Sequence, residues 1–390
     1  MPKDVDVAVI GGGVQGCGVA QAAAAAGYST LIIEKSDWGS GTSSKSSKLI
    51  HGGLRYLQTG QFRLVRECLL ERNWMLRHTP ELVKPNWFYL PIYKHNQYPA
   101  WMILAGLCLY RVLNLNSPYS QFRWIKKNEW QHLNGLKTEN LKTVFAYQDG
   151  QTDDQQLTLA IKNSAEALGA QCLSETTLVA ATRTGDGYQL KLQHANADAT
   201  DTHTVNARVV INATGPWVNE TLNRFTPVAP AVDVDFVQGT HIVIDRQVSD
   251  MCFYLEAPQD SRAIFIMPWK GTSLIGTTET VYQGSPDDIQ PHQSEIDYLL
   301  DTYHHYFPNA PATVVNSFCG LRVLPRMQNS AFKRPRDVMI KSHNGIVSLY
   351  GGKLTAWRAT AADVMPHIYA ILGNGKRIDT REIELQLHKD

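Results

Sequence analysis

Three glycines near the start of the chain, Gly11, Gly13 and Gly16, form a GxGxxG pattern. The β-branched run before them, residues 5–10, is typical of a buried parallel strand, and the small residues after them favour a helix. The first glycine permits a tight turn, the second lets a pyrophosphate approach the backbone, and the third lets helix and strand pack closely. Glu34 ends the next apolar run, where a carboxylate can bind ribose hydroxyls. These residues predict a dinucleotide-binding βαβ unit.

A second run with chemical potential has the sequence IHGGLRY, in which Gly52 and Gly53 lie beside His51, Arg55 and Tyr56. Adjacent glycines next to such side chains indicate backbone crowded against a ligand. The run follows a loop rich in serine and glycine, a composition that taken alone is typical of a solvated linker.

The composition excludes several classes of protein. The 390 residues are 43% hydrophobic and 19% charged, which suits two globular domains with a large core. A net charge of +1 gives no general attraction to nucleic acid. The six cysteines form no CxxC pair and no cluster with histidine, so we expect a reducing compartment and no metal site or disulfide framework. No apolar run reaches the roughly 20 residues that span a bilayer.

The elements that must position these residues are of two kinds, strand–turn–helix units and antiparallel strands. The opening strand, turn and helix return near the end, where a strand over 346–350, Gly351 and Gly352, and a helix over 353–372 are predicted. Residues 232–323 alternate as in antiparallel strands. Nucleotide-type units at both ends of such a region predict an α/β plus α+β fold with two interleaved domains.

Other segments carry less distinct signals. Apolar spacing predicts helices over 61–78 and 155–168. Residues 80–99 are rich in proline and aromatic residues and are predicted to be irregular. Residues 145–154 are predicted to form a loop.

Several longer motifs together resemble one family. They are GGGVQGCG, TSSKSSKLIHGGLRYL, FRLVRE, PAWMI, INATGPWVN, GTHIVI, IMPW, IGTTE, GLRVLP and YGGKLTAWR. With them the chain resembles, between residues 7 and 358, the FAD-dependent glycerol-3-phosphate dehydrogenases of aerobic type. These flavoproteins belong to the glutathione-reductase-like superfamily, D-amino-acid-oxidase group. Family members usually carry a further helical C-terminal domain, and we expect this chain to lack it.

The resemblance implies a discontinuous, Rossmann-like FAD-binding domain over 1–80, 145–230 and 319–390. It implies an antiparallel-sheet substrate-binding domain, or cap, over 81–144 and 231–318.

The resemblance also implies which residues bind FAD, in addition to the glycines and Glu34 named above. The loop residues expected along the pyrophosphate and the flavin ring are Thr42, Ser43, Ser44, Lys48 and Leu49. A second flavin turn is expected at Ala213, Thr214 and Gly215, and the residues expected near the pyrimidine side are Gly351, Gly352, Lys353, Leu354 and Thr355. Because no covalent-attachment motif occurs at histidine or cysteine, we expect FAD to be non-covalent.

The implied reaction is oxidation of sn-glycerol 3-phosphate at C2 to dihydroxyacetone phosphate, with a hydride passing to flavin N5 and electrons then to a quinone. A phosphate dianion is best bound by guanidinium groups, and Arg55, Arg262 and Arg322 lie in the family motifs. We count Arg322 among the catalytic candidates, and Tyr56 and Lys353 among the substrate contacts.

A neutral imidazole suits removal of the hydroxyl proton, and the two candidates are His241 and His51. We favour His241, because its strand belongs to the antiparallel domain expected to cover the flavin.

Two other readings share the flavin motifs. One is an oxidase that returns electrons to oxygen and acts on glycerol 3-phosphate, an amine or an amino acid. The other is a non-catalytic flavin-binding subunit or redox sensor. The three arginines favour a phosphorylated substrate over an amino acid. The sequence gives no oligomeric state.

Residues 100–110 are apolar throughout, with Trp101 and Tyr110 near the ends. The segment is too short to span a bilayer, and its aromatic ends suit the headgroup boundary. By resemblance it belongs to the surface that meets the membrane, and the alternative is a buried core helix. We expect a cytoplasmic protein, peripheral on the inner face of the cytoplasmic membrane.

Overall fold

The computed structural model describes residues 2–58, 60–115, 117–198, 201–326, 338–373 and 375–386. The helices are α1 (Val14–Ala25), α2 (Phe62–His78), α3 (Ala100–Leu113), α4 (Asp154–Ala167), α5 (Val218–Leu222), α6 (Gln293–Tyr306) and α7 (Trp357–Leu372). The strands are β1 (Asp4–Ile10), β2 (Thr30–Ile33), β3 (Leu49–Ile50), β4 (Val83–Tyr93), β5 (Phe122–Ile125), β6 (Leu141–Thr152), β7 (Gln171–Leu173), β8 (Thr176–Thr184), β9 (Gly187–His194), β10 (His203–Asn212), β11 (Phe225–Thr226), β12 (Val234–Ile244), β13 (Cys252–Glu256), β14 (Ala263–Trp269), β15 (Thr272–Gly276), β16 (Thr280–Tyr282), β17 (Val314–Pro325), β18 (Met339–His343) and β19 (Ile346–Tyr350).

The chain divides into two compact units. The first comprises 1–46, 153–236 and 322–390, and the second comprises 47–152 and 237–321. The interleaved α/β plus α+β fold predicted from the sequence is confirmed.

The first unit is built on a sheet with the strand order β11-β8-β9-β10-β1-β2-β7, to which β19 adds by pairing with β10. β1 runs parallel to both β2 and β10, and β19 runs parallel to β10. α1 is buried on nearly all sides, which explains its small residues. A Cβ on Gly18 would lie 2.8 Å from the ring of Trp357 in α7. On α4, Ser164 Oγ accepts a hydrogen bond of 2.8 Å from Gln21 Nε2.

The second unit is built on a mainly antiparallel sheet with the order β16-β12-β15-β14-β13-β4-β6-β3. Alternate residues of β12 pack into two different cores. Ile242 and Ile244 pack in a core that includes Leu299 of α6, whereas Val243 packs in a core that includes Leu69 of α2 and Leu107 of α3. The sheet therefore carries apolar side chains on both faces, as expected where helices cover each one.

The boundaries of the units differ from those drawn on the sequence. Residues 47–80 and 145–152, which the sequence analysis gave to the FAD-binding domain, lie in the second unit. The reason is that β3 pairs with β6, and that Val65 and Leu69 of α2 pack in a core of this unit.

Two element predictions were wrong, and a third placed the start of a helix too early. Residues 80–99 contain the long strand β4, and 145–154 lie mostly in β6, which pairs with β4 along nearly its whole length. β4 accommodates Pro85 and Pro91 because its pairing with β13 is confined to the residues between them. α7 begins at Trp357 rather than 353, and its N-cap residue Ala356 has a non-helical φ of −100° and ψ of 16°.

Candidate active site

The GxGxxG turn in the first unit accepts only glycine at two of its positions. Gly11 has φ +106°, and a Cβ there would lie 2.6 Å from the carbonyl oxygen of Ala213. A Cβ on Gly16 would lie 1.9 Å from the carbonyl oxygen of Gly11. The turn therefore holds β1, α1 and the end of β10 in close contact, and the amides at the start of α1 face the edge of the sheet where a phosphate would bind.

Two side chains order these amides. Glu34, half-buried at the end of β2, accepts a hydrogen bond of 2.6 Å at Oε2 from the Gly12 amide. Ser43 Oγ accepts one of 2.9 Å from the Val14 amide. Ser43 lies in a short 3₁₀ turn, Thr42–Ser44, which holds three of the five predicted loop residues.

The second turn, Ala213 to Gly215, follows β10. The buried Asn212 fixes it, because Asn212 Oδ1 accepts 2.7 Å from Thr214 Oγ1 and Asn212 Nδ2 donates 2.8 Å to the Val218 carbonyl. The sequence analysis quoted Asn212 within a motif and gave it no role.

The third turn, Gly351 and Gly352, follows β19 with φ angles of +79° and +113°. Gln15 of α1 donates a hydrogen bond of 3.0 Å to the Lys353 carbonyl. In the described part of the chain, Gln15 Oε1 is buried without a hydrogen-bond partner, so it is available to a donor on a ligand. Of the other predicted residues of this turn, Lys353 and Leu354 are half-buried, and Thr355 is buried.

The three turns lie together because of the sheet. β1, β10 and β19 are parallel neighbours, with Ile10 opposite Asn212 and Asn212 opposite Ser348. Parallel strands end at the same edge, and in such sheets ligands bind outside the carboxyl ends of the strands. The residues at this edge fit FAD: two turns that exclude side chains, a helix N-terminus, a terminal carboxylate and the buried Gln15 acceptor.

In the second unit, His241 is buried in β12, and its Nε2 forms a hydrogen bond of 2.9 Å with Ser47 Oγ. The imidazole stacks on Phe318 with ring centroids 5.1 Å apart. Gly276 lies opposite it in β15, where a Cβ would be only 2.1 Å from His241 Cδ2. Ser47, Gly276 and Phe318 therefore fix the imidazole, and the sequence analysis gave none of them a role.

Lys48 and Leu49 lie in this second unit, whereas Thr42 to Ser44 lie in the first. Lys48 is buried with φ +60°, and its Nζ is 5.2 Å from the ring centroid of Phe318. Leu49 is buried in β3.

The IHGGLRY run forms a crowded turn. Gly53 has φ +75°, and a Cβ there would lie 2.2 Å from the ring of Tyr56. The Gly52 amide donates a hydrogen bond of 2.8 Å to the hydroxyl of Tyr110. His51 is half-buried, with its ring centroid 6.5 Å from that of Phe265.

A buried polar network supports this turn. The Tyr110 hydroxyl donates to Asp149 Oδ2 at 2.8 Å, and Asp149 pairs with Arg72, both of them almost fully buried. Arg72 also donates 3.0 Å to the Tyr119 carbonyl. Burial, and then the charge of Asp149, raise the pKa of Tyr110, so its hydroxyl stays protonated. The sequence analysis missed this network, because its charged members lie far apart along the chain.

Glu279 brings two of the predicted arginines together. Its Oε2 lies 2.9 Å from Arg262 Nη1 and 3.6 Å from Arg55 Nη2, and the Glu279 side chain is almost fully buried. Arg322 and Lys353 belong to the first unit, where Arg322 is half-buried on β17.

The apolar segment at 100–110 is the larger part of α3, and it has two faces. Leu107 and Tyr110 are buried, with 1% and 3% exposure, while Trp101 is 68% and Val112 63% exposed. One side of α3 is thus core and the other is an apolar surface. Within the described ranges, no helix has both the length and the apolar character needed to cross a membrane.

Comparison with known proteins agrees with this geometry. The profile of the family DAO, FAD dependent oxidoreductase, matches residues 6–358. D-Erythritol 1-phosphate dehydrogenase of Brucella abortus is 34% identical, over 95% of this chain and 76% of that protein. Glycerol-3-phosphate dehydrogenase of Synechocystis sp. is 36% identical, over 94% of this chain and 70% of that protein.

Among solved structures, the glycerol-3-phosphate dehydrogenase of Bacillus halodurans complexed with FAD superposes with a TM-score of 0.78 at 28% identity. The match covers 98% of this chain and 68% of that one. The chain therefore belongs to the DAO family of FAD-dependent oxidoreductases, with FAD as its cofactor.

Proposed function

We propose that the protein oxidises sn-glycerol 3-phosphate to dihydroxyacetone phosphate and passes the electrons to a membrane quinone. The observation that carries the proposal is the pairing of Arg55 and Arg262 around Glu279, in the same unit as the buried His241. Two guanidinium groups suit a phosphate dianion. The names of the relatives support the same substrate class, a phosphorylated polyol with a secondary alcohol.

In this proposal His241 is the general base that accepts the proton of the C2 hydroxyl. A buried imidazole held by Ser47 and stacked on Phe318 loses little rotational freedom when the substrate binds. Bound FAD supplies the acceptor for the C2 hydrogen, which leaves as a hydride. The alcohol thus loses one hydride and one proton, and a ketone forms. His51 is the alternative base.

We assign non-covalent FAD binding to the residues of the three turns, to Glu34 and to Thr42, Ser43 and Ser44. Arg55, Arg262 and Arg322 are assigned to the substrate phosphate, and Tyr56 and Lys353 to further substrate contacts. The roles of Lys48 and Leu49 toward FAD, and the division into an FAD-binding and a substrate-binding domain, are parts of the same proposal.

A second candidate substrate is D-erythritol 1-phosphate, which the Brucella abortus relative supports. It also carries a phosphate and secondary alcohols, so the arginine pair suits it equally well. The two substrates differ by one hydroxymethylene unit, so they differ in the space needed beyond the reacting carbon.

The exposed face of α3 supports attachment to the inner surface of the cytoplasmic membrane, where a quinone is available. Trp101 and Val112 lie on this face, and lysine at both positions should abolish flotation with liposomes. Val228 and Val315 are also exposed, and lysine at these two positions is the matched control, expected to float as wild type. Flotation of the Trp101/Val112 variant, or loss of flotation in both variants, would remove α3 as the attachment site.

The experiment that tests the function is anaerobic reduction of the bound flavin, followed by its absorbance. Glycerol 3-phosphate, D-erythritol 1-phosphate and unphosphorylated glycerol are compared. We expect rapid bleaching with glycerol 3-phosphate and little with glycerol. Faster bleaching with D-erythritol 1-phosphate would transfer the assignment to that substrate, and no bleaching with either phosphate would contradict the proposal. Oxygen consumption against quinone-analogue reduction then separates an oxidase from a dehydrogenase.

A further inference from the structure

Glu295, in the first turn of α6, is a buried carboxylate that joins two other segments of the second unit. Its Oε1 accepts hydrogen bonds from Thr278 Oγ1 at 2.7 Å and Thr280 Oγ1 at 2.8 Å. Its Oε2 accepts from Gln238 Nε2 at 2.6 Å and Thr240 Oγ1 at 2.7 Å. The carboxylate therefore ties α6 both to β12 and to residues 278–280.

The His292 amide also donates to Oε2, at 3.3 Å. All five donors are neutral groups, yet the carboxylate is charged. Burial by itself raises the pKa of Glu295. The hydrogen bonds from the three threonines and the His292 amide together lower it by more than burial raises it, so the pKa lies below its ordinary value. A buried charge is an expensive way to stabilise a core, and an apolar residue of similar volume is often as good. What a carboxylate adds is the capacity to accept from several donors in fixed directions.

The two segments that Glu295 fixes carry residues of the candidate active site. Thr240 directly precedes His241 in β12. Thr278 and Thr280 flank Glu279, whose carboxylate holds Arg262 and Arg55. A shift of residues 278–280 would therefore move the anchor of both guanidinium groups.

We propose that Glu295 is a positioning residue, which fixes residues 278–280 so that Glu279 holds Arg55 and Arg262 in the arrangement that binds the substrate phosphate. This inference rests on the proposed function for the identity of the substrate, but it concerns phosphate binding, which can be measured without turnover.

The test uses the FAD-loaded protein and the isosteric change Glu295→Gln. The threonine hydroxyls can rotate to face an amide, so the fold is retained while the charge-assisted hydrogen bonds are lost. Leu299, fully buried on the same helix, provides a stability control as Leu299→Ala. Asp297, exposed on α6, provides a charge control as Asp297→Asn. Each variant is measured for its Kd for inorganic phosphate, its kcat and KM for glycerol 3-phosphate, and its Tm.

For Glu295→Gln we expect inorganic phosphate to bind about tenfold more weakly, as for loss of one charged hydrogen bond, and KM to rise more than kcat falls. Hydrogen exchange should quicken in the segments 238–241 and 277–281. Leu299→Ala should lower Tm at least as much as Glu295→Gln does, but leave the Kd for phosphate unchanged. Asp297→Asn should match wild type in Tm, in phosphate binding and in kinetics.

An unchanged phosphate Kd in Glu295→Gln would overturn the inference, as would an equal loss in Leu299→Ala, because the effect would then be general destabilisation. If the wild type binds phosphate but glycerol 3-phosphate does not reduce its flavin, the proposed function fails while the Glu295 comparison still stands. If the wild type binds no phosphate, the inference itself fails.

Discussion

Ser47 Oγ lies 2.9 Å from Nε2 of His241, at hydrogen-bond distance, although the two residues are far apart along the chain. The hydrogen bond fixes the direction in which Nε2 points, and stacking on Phe318 fixes the plane of the imidazole ring. An orienting partner of this kind is typical of general acid–base residues.

His241→Ala should lower kcat by about 10² to 10⁴, the usual contribution of a general base. Ser47→Ala should lower it less, because Ser47 orients the ring and His241 accepts the proton. Stopped-flow measurement of flavin reduction by glycerol 3-phosphate gives the rate for the His241→Ala and Ser47→Ala variants, and His51→Ala is measured alongside them. If His51→Ala shows the large decrease and His241→Ala does not, the base is His51. An equal decrease in Ser47→Ala and His241→Ala would make Ser47 a proton relay.

Arg322→Ala should weaken binding of glycerol 3-phosphate and leave FAD bound. A hydrogen bond to a charged group contributes about 1.5 to 3 kcal/mol, which corresponds to about ten- to a hundredfold in affinity. The lost group contacts the phosphate in our assignment, so flavin reduction by unphosphorylated glycerol should change far less. Equal losses with both substrates would exclude Arg322 from the phosphate site. Arg262→Ala is a parallel test, because it removes the guanidinium group that lies 2.9 Å from Glu279 Oε2.

Tyr110→Phe should leave the Gly52 amide without its acceptor and Asp149 without one donor. An unsatisfied buried group costs about 1 to 3 kcal/mol, so we expect a lower Tm and faster hydrogen exchange at residues 51–56. Because His51, Arg55 and Tyr56 lie in this turn, KM for glycerol 3-phosphate should rise as well.

The matched control for that change is Tyr147→Phe, since the ring of Tyr147 contacts that of Tyr110 in the same core. This variant removes a buried hydroxyl but keeps the Gly52 hydrogen bond, so exchange at 51–56 should stay as in wild type. If both variants raise exchange there equally, Tyr110 has no specific role in holding the turn.

Gly16→Ala should abolish FAD binding, because its Cβ would lie 1.9 Å from the Gly11 carbonyl oxygen and force the turn open. Gly106→Ala is the control, since a Cβ at Gly106 meets no atom within 4 Å. The ratio of flavin to protein absorbance after gel filtration gives the result. Acid precipitation of the wild type should release the yellow colour, and colour retained on the precipitated chain would contradict non-covalent binding.

The local chemistry of the first unit could be predicted from the sequence. GxGxxG, Glu34, and the glycine turn after β19 each depend on neighbouring residues, and local backbone constraints are visible in a sequence. The family could also be recognised from the sequence, because each of the longer motifs is a run of neighbouring residues.

The sequence analysis failed where a residue depends on a partner distant along the chain. Residues 145–154 are predicted to form a loop, but most of them lie in β6, where Arg72 compensates the buried charge of Asp149. Residues 80–99 are predicted to be irregular because they are rich in proline and aromatic residues. β4 accommodates the prolines because, among the residues that the structure describes, β13 pairs with it only at Phe88 and Tyr89.

The sequence by itself determined the three turns that we propose bind FAD, the candidate histidines and the candidate arginines. Only the tertiary structure decided which of them meet. The turns converge because β1, β10 and β19 are parallel neighbours, and Arg55 meets Arg262 because both reach Glu279, which Thr278, Thr280 and the buried Glu295 hold in place. The physical reason is that hydrogen bonds and ion pairs depend on distance in space, and strand order, which sets that distance, is decided by packing of the whole sheet.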